Sequence, residues 1–316
     1  MAIIISYNKY QHNWYVGELY EAFAIHMQNQ FSDINIIPIN ELAKTYNEPY
    51  DNRENSLPSL FNIYNLIVYN TITQKGFVHS LSDYAPVFLE HDAALQKLNI
   101  TTFCFSSNFT NDVFDRYKHV KVKILPSFYI LENWNDHEHI ELARHNSDKK
   151  NNCYFNGLCY GHRQPVTDCL KTNDFFIMKN KSIGDEFLNK TDYYKNITKY
   201  EYGLSLNGAA QICYRDLEYF GTRTLCLREK LNIITHDPII ENMHYKTIID
   251  NDTINKIYNT KNYKIISNEI IDKIMNISQE EKQYILFNAY EWFNKNANPI
   301  KQIDFLKQII IENDIL

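Results

Sequence analysis

Tyr154-Phe-Asn-Gly-Leu-Cys-Tyr-Gly-His-Arg-Gln-Pro165 is the stretch on which the fold turns. Residues 153–158 read as a strand. Gly157 and Gly161 then open a loop, Arg163 begins a helix, and Pro165 falls in its first turn, where a missing N–H costs least. A strand that runs through glycines into a helix start is the repeating unit of an α/β sheet. The unit recurs downstream, with a helix over 162–171, strands over 175–178 and 202–206, a helix over 209–220 and a strand over 222–227. Gly221 sits where a helix end favours a residue free to take positive φ. Upstream, 2–6, 34–38, 63–69, 85–89, 101–105 and 120–125 read as short strands, with an amphipathic helix over 13–31. Such alternation predicts largely parallel sheets covered by helices. The tail is helical: Ser278 and Glu281 make a capping-box pair, and Ile285, Ala289, Trp292 and Phe293 share one apolar face.

The 316 residues exceed the usual span of one domain, roughly 100 to 200 residues, so two cores are expected. The strongly polar run over 132–152 marks the boundary. It gives a domain over 1–140 and a second over 150–316, both Rossmann-like and facing a cleft. His137, Glu138, His139 and His145 lie in the run, but their spacing lacks the one-turn separation of a helical metal site, so the run reads as a solvated linker.

Composition narrows the function classes. Hydrophobic residues make up 44% and charged residues 22%, as in ordinary globular chains, and the formal net charge is −6. Nucleic-acid backbones are bound mainly by Lys and Arg, so an acidic chain without a basic stripe argues against that partner. The N-terminal apolar run ends at Ser6, too short for a signal core or a transmembrane segment, and the expected location is cytoplasmic. The six cysteines contain no CxxC pair and read as reduced thiols. There is no GxGxxG and no GxxxxGK[ST], which disfavours dinucleotide and P-loop chemistry.

Three clusters in the second half carry candidate chemistry, because open α/β sheets bind ligands at the C-terminal ends of their strands. The first is the opening stretch, where a diphosphate can rest on free N–H groups with Arg163 as a forked partner. The second runs from Lys199 to Leu225 and includes Asn207-Gly208. There Arg215 and Glu218, three apart on one helix face, can meet phosphate and a ribose diol. A plain surface Arg–Glu pair is the competing reading. The third is Pro238-Ile-Ile-Glu-Asn-Met-His-Tyr245, with His244 and Tyr245 ahead of an apolar run.

In that order the clusters resemble the C-terminal half of GT-B sugar transferases, specifically the capsule-associated and protein O-glucosyltransferase-like family. The matching features are Phe155-Asn-Gly157 with Arg163, Gly208 with Cys213-Tyr-Arg215, and His244-Tyr245. Asn156 stands where the family has arginine, Cys213 where it has serine, and Arg215 lies one residue further from Gly208. The resemblance implies a metal-independent glycosyltransferase, hexosyl or pentosyl, using a nucleotide-sugar donor and a glycan, lipid-linked or protein acceptor. The donor is a substrate, and no cofactor is implied. Gly157, Arg163, Gly208, Arg215, Glu218, His244 and Tyr245 would then bind donor. Asp92, in Phe88-Leu-Glu-His-Asp92 at the end of an N-terminal strand, is the candidate catalytic base. Two rivals stand beside this reading. One is a metal-dependent GT-A enzyme using Asp250 and Asp252, which the sequence reads instead as a turn and helix cap. The other is a non-catalytic nucleotide- or sugar-binding protein.

Overall fold

A computed structural model gives the fold, describing residues 3–7, 17–30, 34–38, 64–80, 101–106, 123–125, 136–144, 148–181, 188–208, 211–260 and 262–315. The chain divides into two units, one of Met1–Trp134, Ile233–Asp237 and Pro299–Leu316, the other of Asn135–Asn232 and Pro238–Asn298. The C-terminal helix Pro299–Glu312 therefore groups with the N-terminal part, whereas the sequence reading places it in 150–316.

In the first unit the elements are β1 (Ile3–Tyr7), α1 (Gly17–Gln30), β2 (Ile34–Pro38), β3 (Tyr64–Asn70), β4 (Lys75–Ser80), β5 (Thr101–Ser106) and β6 (Lys123–Leu125). The sheet order is β2-β1-β3-β4-β5-β6. It is mixed rather than parallel, because β3 runs antiparallel to both β1 and β4. The cause is local. Only four residues, Thr71–Gln74, join β3 to β4, and so short a link permits a hairpin but no crossover. Buried Asn70 shapes the turn, its Oδ1 accepting from the N–H of Ile72 and Thr73 at 2.8 and 3.2 Å, and Gln74 takes a left-handed φ of 56°. The strand expected over 85–89 lies outside the described residues.

The second unit contains α2 (Asp136–Ala143), β7 (Lys150–Leu158), α3 (Arg163–Leu170), β8 (Phe176–Lys181), α4 (Lys190–Ile197), β9 (Tyr200–Ser205), α5 (Tyr214–Gly221), β10 (Leu225–Glu229), β11 (Lys246–Ile249), α6 (Asn251–Thr260), α7 (Tyr263–Met275) and α8 (Gln279–Asn296). Its five strands are all parallel, in the order β8-β7-β9-β10-β11. Right-handed crossovers dictate the helix layers. The step from β7 to β8 moves one way along the sheet and puts α3 on one face; the returning steps put α4 and α5 on the other. The helix packing agrees, with α3, α6 and α7 in one group and α2, α4, α5 and α8 in the other. Phe155, Val166, Leu204, Leu227, Ile249 and Ile266 are among the core residues.

Two local expectations are corrected here. Part of the polar run over 132–152 is the helix α2, whose Ile140 is fully buried and which packs on α4 and α5. Gly221 does not adopt positive φ; that role falls to Arg223, at 51°. A Cβ on Gly221 would stand 2.8 Å from Ile140 Cγ2 and 2.9 Å from Phe293 Cζ. Glycine is required there so that α2 and α8 can approach α5.

Candidate functional site

The strand order reverses direction between β7 and β9, and in open parallel sheets the crevice beyond the strand ends at such a switch point is the usual ligand site. The residues bordering it come from the end of β7, the turn into α3 (159–163), 206–208 and 211–213 after β9, and the end of β10. They include Gly157, Arg163 and Gly208 of the sequence expectation, and Asn207, which the sequence reads as closing a strand. They also include His162 and Glu229, which the sequence reading did not single out.

Asn207 is the hub. Its N–H donates to Glu229 Oε1 (3.1 Å), its carbonyl accepts from Arg163 Nε (2.7 Å), and its side-chain Oδ1 accepts from Arg228 Nη2 (2.8 Å). The groups holding it come from α3 and β10. Arg163, 6% exposed, also donates to the carbonyls of Leu158 (3.1 Å) and Leu206 (2.8 Å), and so ties the ends of β7 and β9 together. Arg228 is fully buried, donates to Gln211 O at 2.6 Å, and forms a 2.6 Å ion pair with fully buried Asp216. Asp216 in turn accepts from the Cys213 N–H at 2.6 Å, completing the N-terminal cap of α5. His162 Nε2 lies 3.3 Å from Glu229 Oε1, with the imidazole partly exposed at the rim.

This bracing revises the role expected of Arg163. Its N–H groups are engaged with backbone carbonyls, which makes it a strut rather than a phosphate fork. The start of α3 offers little to an anion either. The N–H groups of Arg163 and Gln164 donate to Tyr160 O and Gly161 O, and Pro165 has none. Gly161 takes φ of 54° in this turn. Gly208 is required by close approach, since a Cβ there would stand 2.6 Å from Arg163 Nη2.

Arg215 is different. One guanidinium nitrogen, Nη2, donates to Asn156 O at 2.8 Å, and the group lies 4.8 Å from the centroid of the Phe155 ring. Its Nε is buried with no hydrogen-bond partner among the described residues. Such an orphaned donor is uncommon, and it leaves the arginine with unspent capacity for an anion. A Cβ on Gly157 would fall 2.2 Å from Nη2, so glycine there makes room for this side chain.

The remaining candidates are placed elsewhere. Glu218, 4% exposed, accepts from Tyr193 Oη at 2.5 Å and Tyr194 Oη at 3.3 Å, between α5 and α4. Burial first, and then the Glu218 carboxylate, push the Tyr193 phenol well above its usual range, so it stays a donor. That carboxylate is satisfied by protein groups inside a helix interface. His244 and Tyr245 precede β11 rather than follow it. His244 Nδ1 accepts from the Ile240 N–H (2.8 Å) within the 238–245 loop. Tyr245 reaches the end of β10, its Oη accepting from the Leu231 N–H (3.3 Å) and its ring lying beneath Arg228, which holds Asn207. Asp250 caps α6, its Oδ1 accepting from Thr253 N and Oγ1 at 2.7 Å each while Lys273 Nζ lies 3.1 Å from Oδ2. No group of three or more potential metal ligands occurs among the described residues, and the described cysteines are free thiols. No helix among them is long and apolar enough to cross a membrane. Asp92 lies outside the described residues.

No family model and no curated protein sequence matches the chain. Among solved structures it is similar to the pneumococcal O-GlcNAc transferase GtfA in complex with UDP and GlcNAc, with 12% identity and a TM-score of 0.40. The match covers 72% of this chain and 47% of that one, about half its length. A likeness this slight transfers neither fold nor activity, and the reading of the site rests on its own geometry.

Proposed function

We propose that the chain is a glycosyltransferase that binds a nucleotide-sugar donor at the switch point of its second unit and transfers the sugar to a carbohydrate-type acceptor. The observation that carries this is the hydrogen-bonded Asn207-Gly208 turn, held from α3 and β10 at the place where an open parallel sheet takes its ligand. Beside it Arg215 has a buried donor still unpaired. The order of the sequence clusters, which resembles GT-B donor domains, supports the same reading.

In such a reaction the acceptor hydroxyl attacks the anomeric carbon, the bond to the donor phosphate oxygen breaks, and the electron pair leaves with the nucleoside diphosphate. The growing negative charge needs a fixed cation, which Arg215 supplies without a metal. Asp92 is the proposed acceptor of the hydroxyl proton, and the first unit is proposed to hold the acceptor.

A thermal-shift panel of UDP, GDP and their sugars, followed by an assay for nucleoside diphosphate release, tests the proposal. At least one nucleotide should raise the melting temperature, because a ligand that binds only the native state stabilises it. Failure of the whole panel at millimolar concentration would overturn the reading.

A further inference from the structure

On the opposite edge of the second unit's sheet, at the N-terminal ends of β7, β9 and β10, lies a cavity of about 380 Å³. Its charged lining is Arg144, Lys149, Arg223, Lys282 and Glu201, four cations to one carboxylate, with Gln279 and Gln283 beside them on α8. We propose that this cavity is a second ligand site, distinct from the switch point, that takes a phosphorylated small molecule.

Three features support it independently of the glycosyltransferase reading. Arg223 occupies the left-handed position after α5, where glycine is the favoured residue and a side chain is strained. Its guanidinium lies over the Tyr290 ring, 4.1 Å from the centroid, and Arg144 lies over the same ring at 5.0 Å. Two guanidinium groups thus border one cavity: that of Arg144 is forked onto Glu141 at 3.0 and 2.7 Å, and that of Arg223, with no ion pair among the described residues, is the one open to phosphate oxygens. Lys149 sits beneath them, donating to Arg223 O at 2.7 Å and lying 3.5 Å from Thr222 O and 3.4 Å from Thr224 Oγ1.

The charges around Lys149 leave it short of anions. Glu201 is the one carboxylate in the lining, and it is already paired with Lys282. Arg144 is paired with Glu141 at 2.7 Å, and Arg223 faces an aromatic ring. Burial, and then repulsion from Lys282, lower the Lys149 ammonium to about 8, with Glu201 partly offsetting them. An oxyanion entering the cavity supplies the missing counter-charge, with Lys149 acting through its field because its donors are held by Arg223 O, Thr222 O and Thr224 Oγ1. Phe287, 60% exposed at the rim, offers a ring face to the organic part of the ligand.

The test is calorimetric titration of the full chain with pyrophosphate, with acetate as control, at pH 7. Pyrophosphate should bind and acetate should not. Arg223→Gly and Arg144→Gln should each weaken binding about tenfold or more, the scale of a lost charge-assisted contact. Arg223→Gly should melt at or above the wild-type temperature, because glycine takes that backbone without strain, so the loss is not a folding defect. Hydrogen exchange with pyrophosphate bound should show protection at 144–149, 223 and 279–287, which separates this site from the switch point at 157–163 and 211–215. Equal affinity in wild type and both cavity variants, no binding to wild type at millimolar pyrophosphate, or protection confined to the switch point would overturn the proposal.

Discussion

Arg163 and Arg215 come from the first turns of helices on opposite faces of the sheet, yet their donors meet different fates, and that difference predicts different phenotypes. Arg163 satisfies the carbonyls of Leu158, Leu206 and Asn207. Arg163→Met strands these partly buried acceptors and should cost about 2 to 4 kcal/mol in denaturant unfolding, on the scale of unsatisfied polar groups. Arg215 keeps a buried Nε without a partner. Arg215→Ala should therefore weaken a nucleoside diphosphate about tenfold or more while leaving the free nucleoside unchanged, since only a phosphate contact is lost. Comparable losses for both ligands in calorimetry would remove Arg215 from phosphate binding. The residue types were legible in the sequence, but their division of labour was not. A guanidinium beside a glycine loop looks the same on paper whether it meets a carbonyl or a phosphate. Glu218 was open to the same confusion, because nothing in its spacing from Arg215 reveals that Tyr193 and Tyr194 reach it from the preceding helix.

At the scale of elements, strands were easier to read than their partners. The runs that became β7, β8, β9 and β10 were visible as apolar segments, and the parallel sheet followed from the helices between them. The β3–β4 hairpin was missed because its turn, Thr71–Gln74, carries neither glycine nor proline. The helix α2 was missed because its eight residues include one fully buried apolar side chain, Ile140, too little for a periodic signal. That side chain gives a test. Gly221→Ala raises helix propensity, but its methyl would meet Ile140 and Phe293 below 3.0 Å. Overpacking typically costs about 1 to 3 kcal/mol, more than the roughly 1 kcal/mol of propensity gained, so the variant should melt below wild type. The cap of α6 gives a second. Hydrogen bonds from Thr253 and the Lys273 ammonium outweigh burial and hold the Asp250 carboxyl down to about 2. A carboxyl with a lowered folded-state value stabilises at neutral pH and loses that contribution as the pH falls from about 4 through 2. Asp250→Ala should cost about 1 kcal/mol at pH 7, the usual worth of a cap, and progressively less as the pH falls through about 2. A cost independent of pH would contradict this assignment.

The second unit as a whole offers two edges of one parallel sheet with opposite characters. The C-terminal edge is a braced loop system around Asn207, held by the buried Asp216–Arg228 pair. The N-terminal edge is the cationic cavity around Lys149. The proposed nucleotide donor belongs to the first of these. Hydrogen exchange measured with and without saturating nucleoside diphosphate is the decisive measurement, because it maps the contact without assuming which sugar or acceptor is used. Protection should concentrate in 157–163 and 206–215, at the switch point between β7 and β9. Protection confined to 144–149, 223 and 279–287 on the opposite edge, or no change anywhere in the second unit, would contradict it.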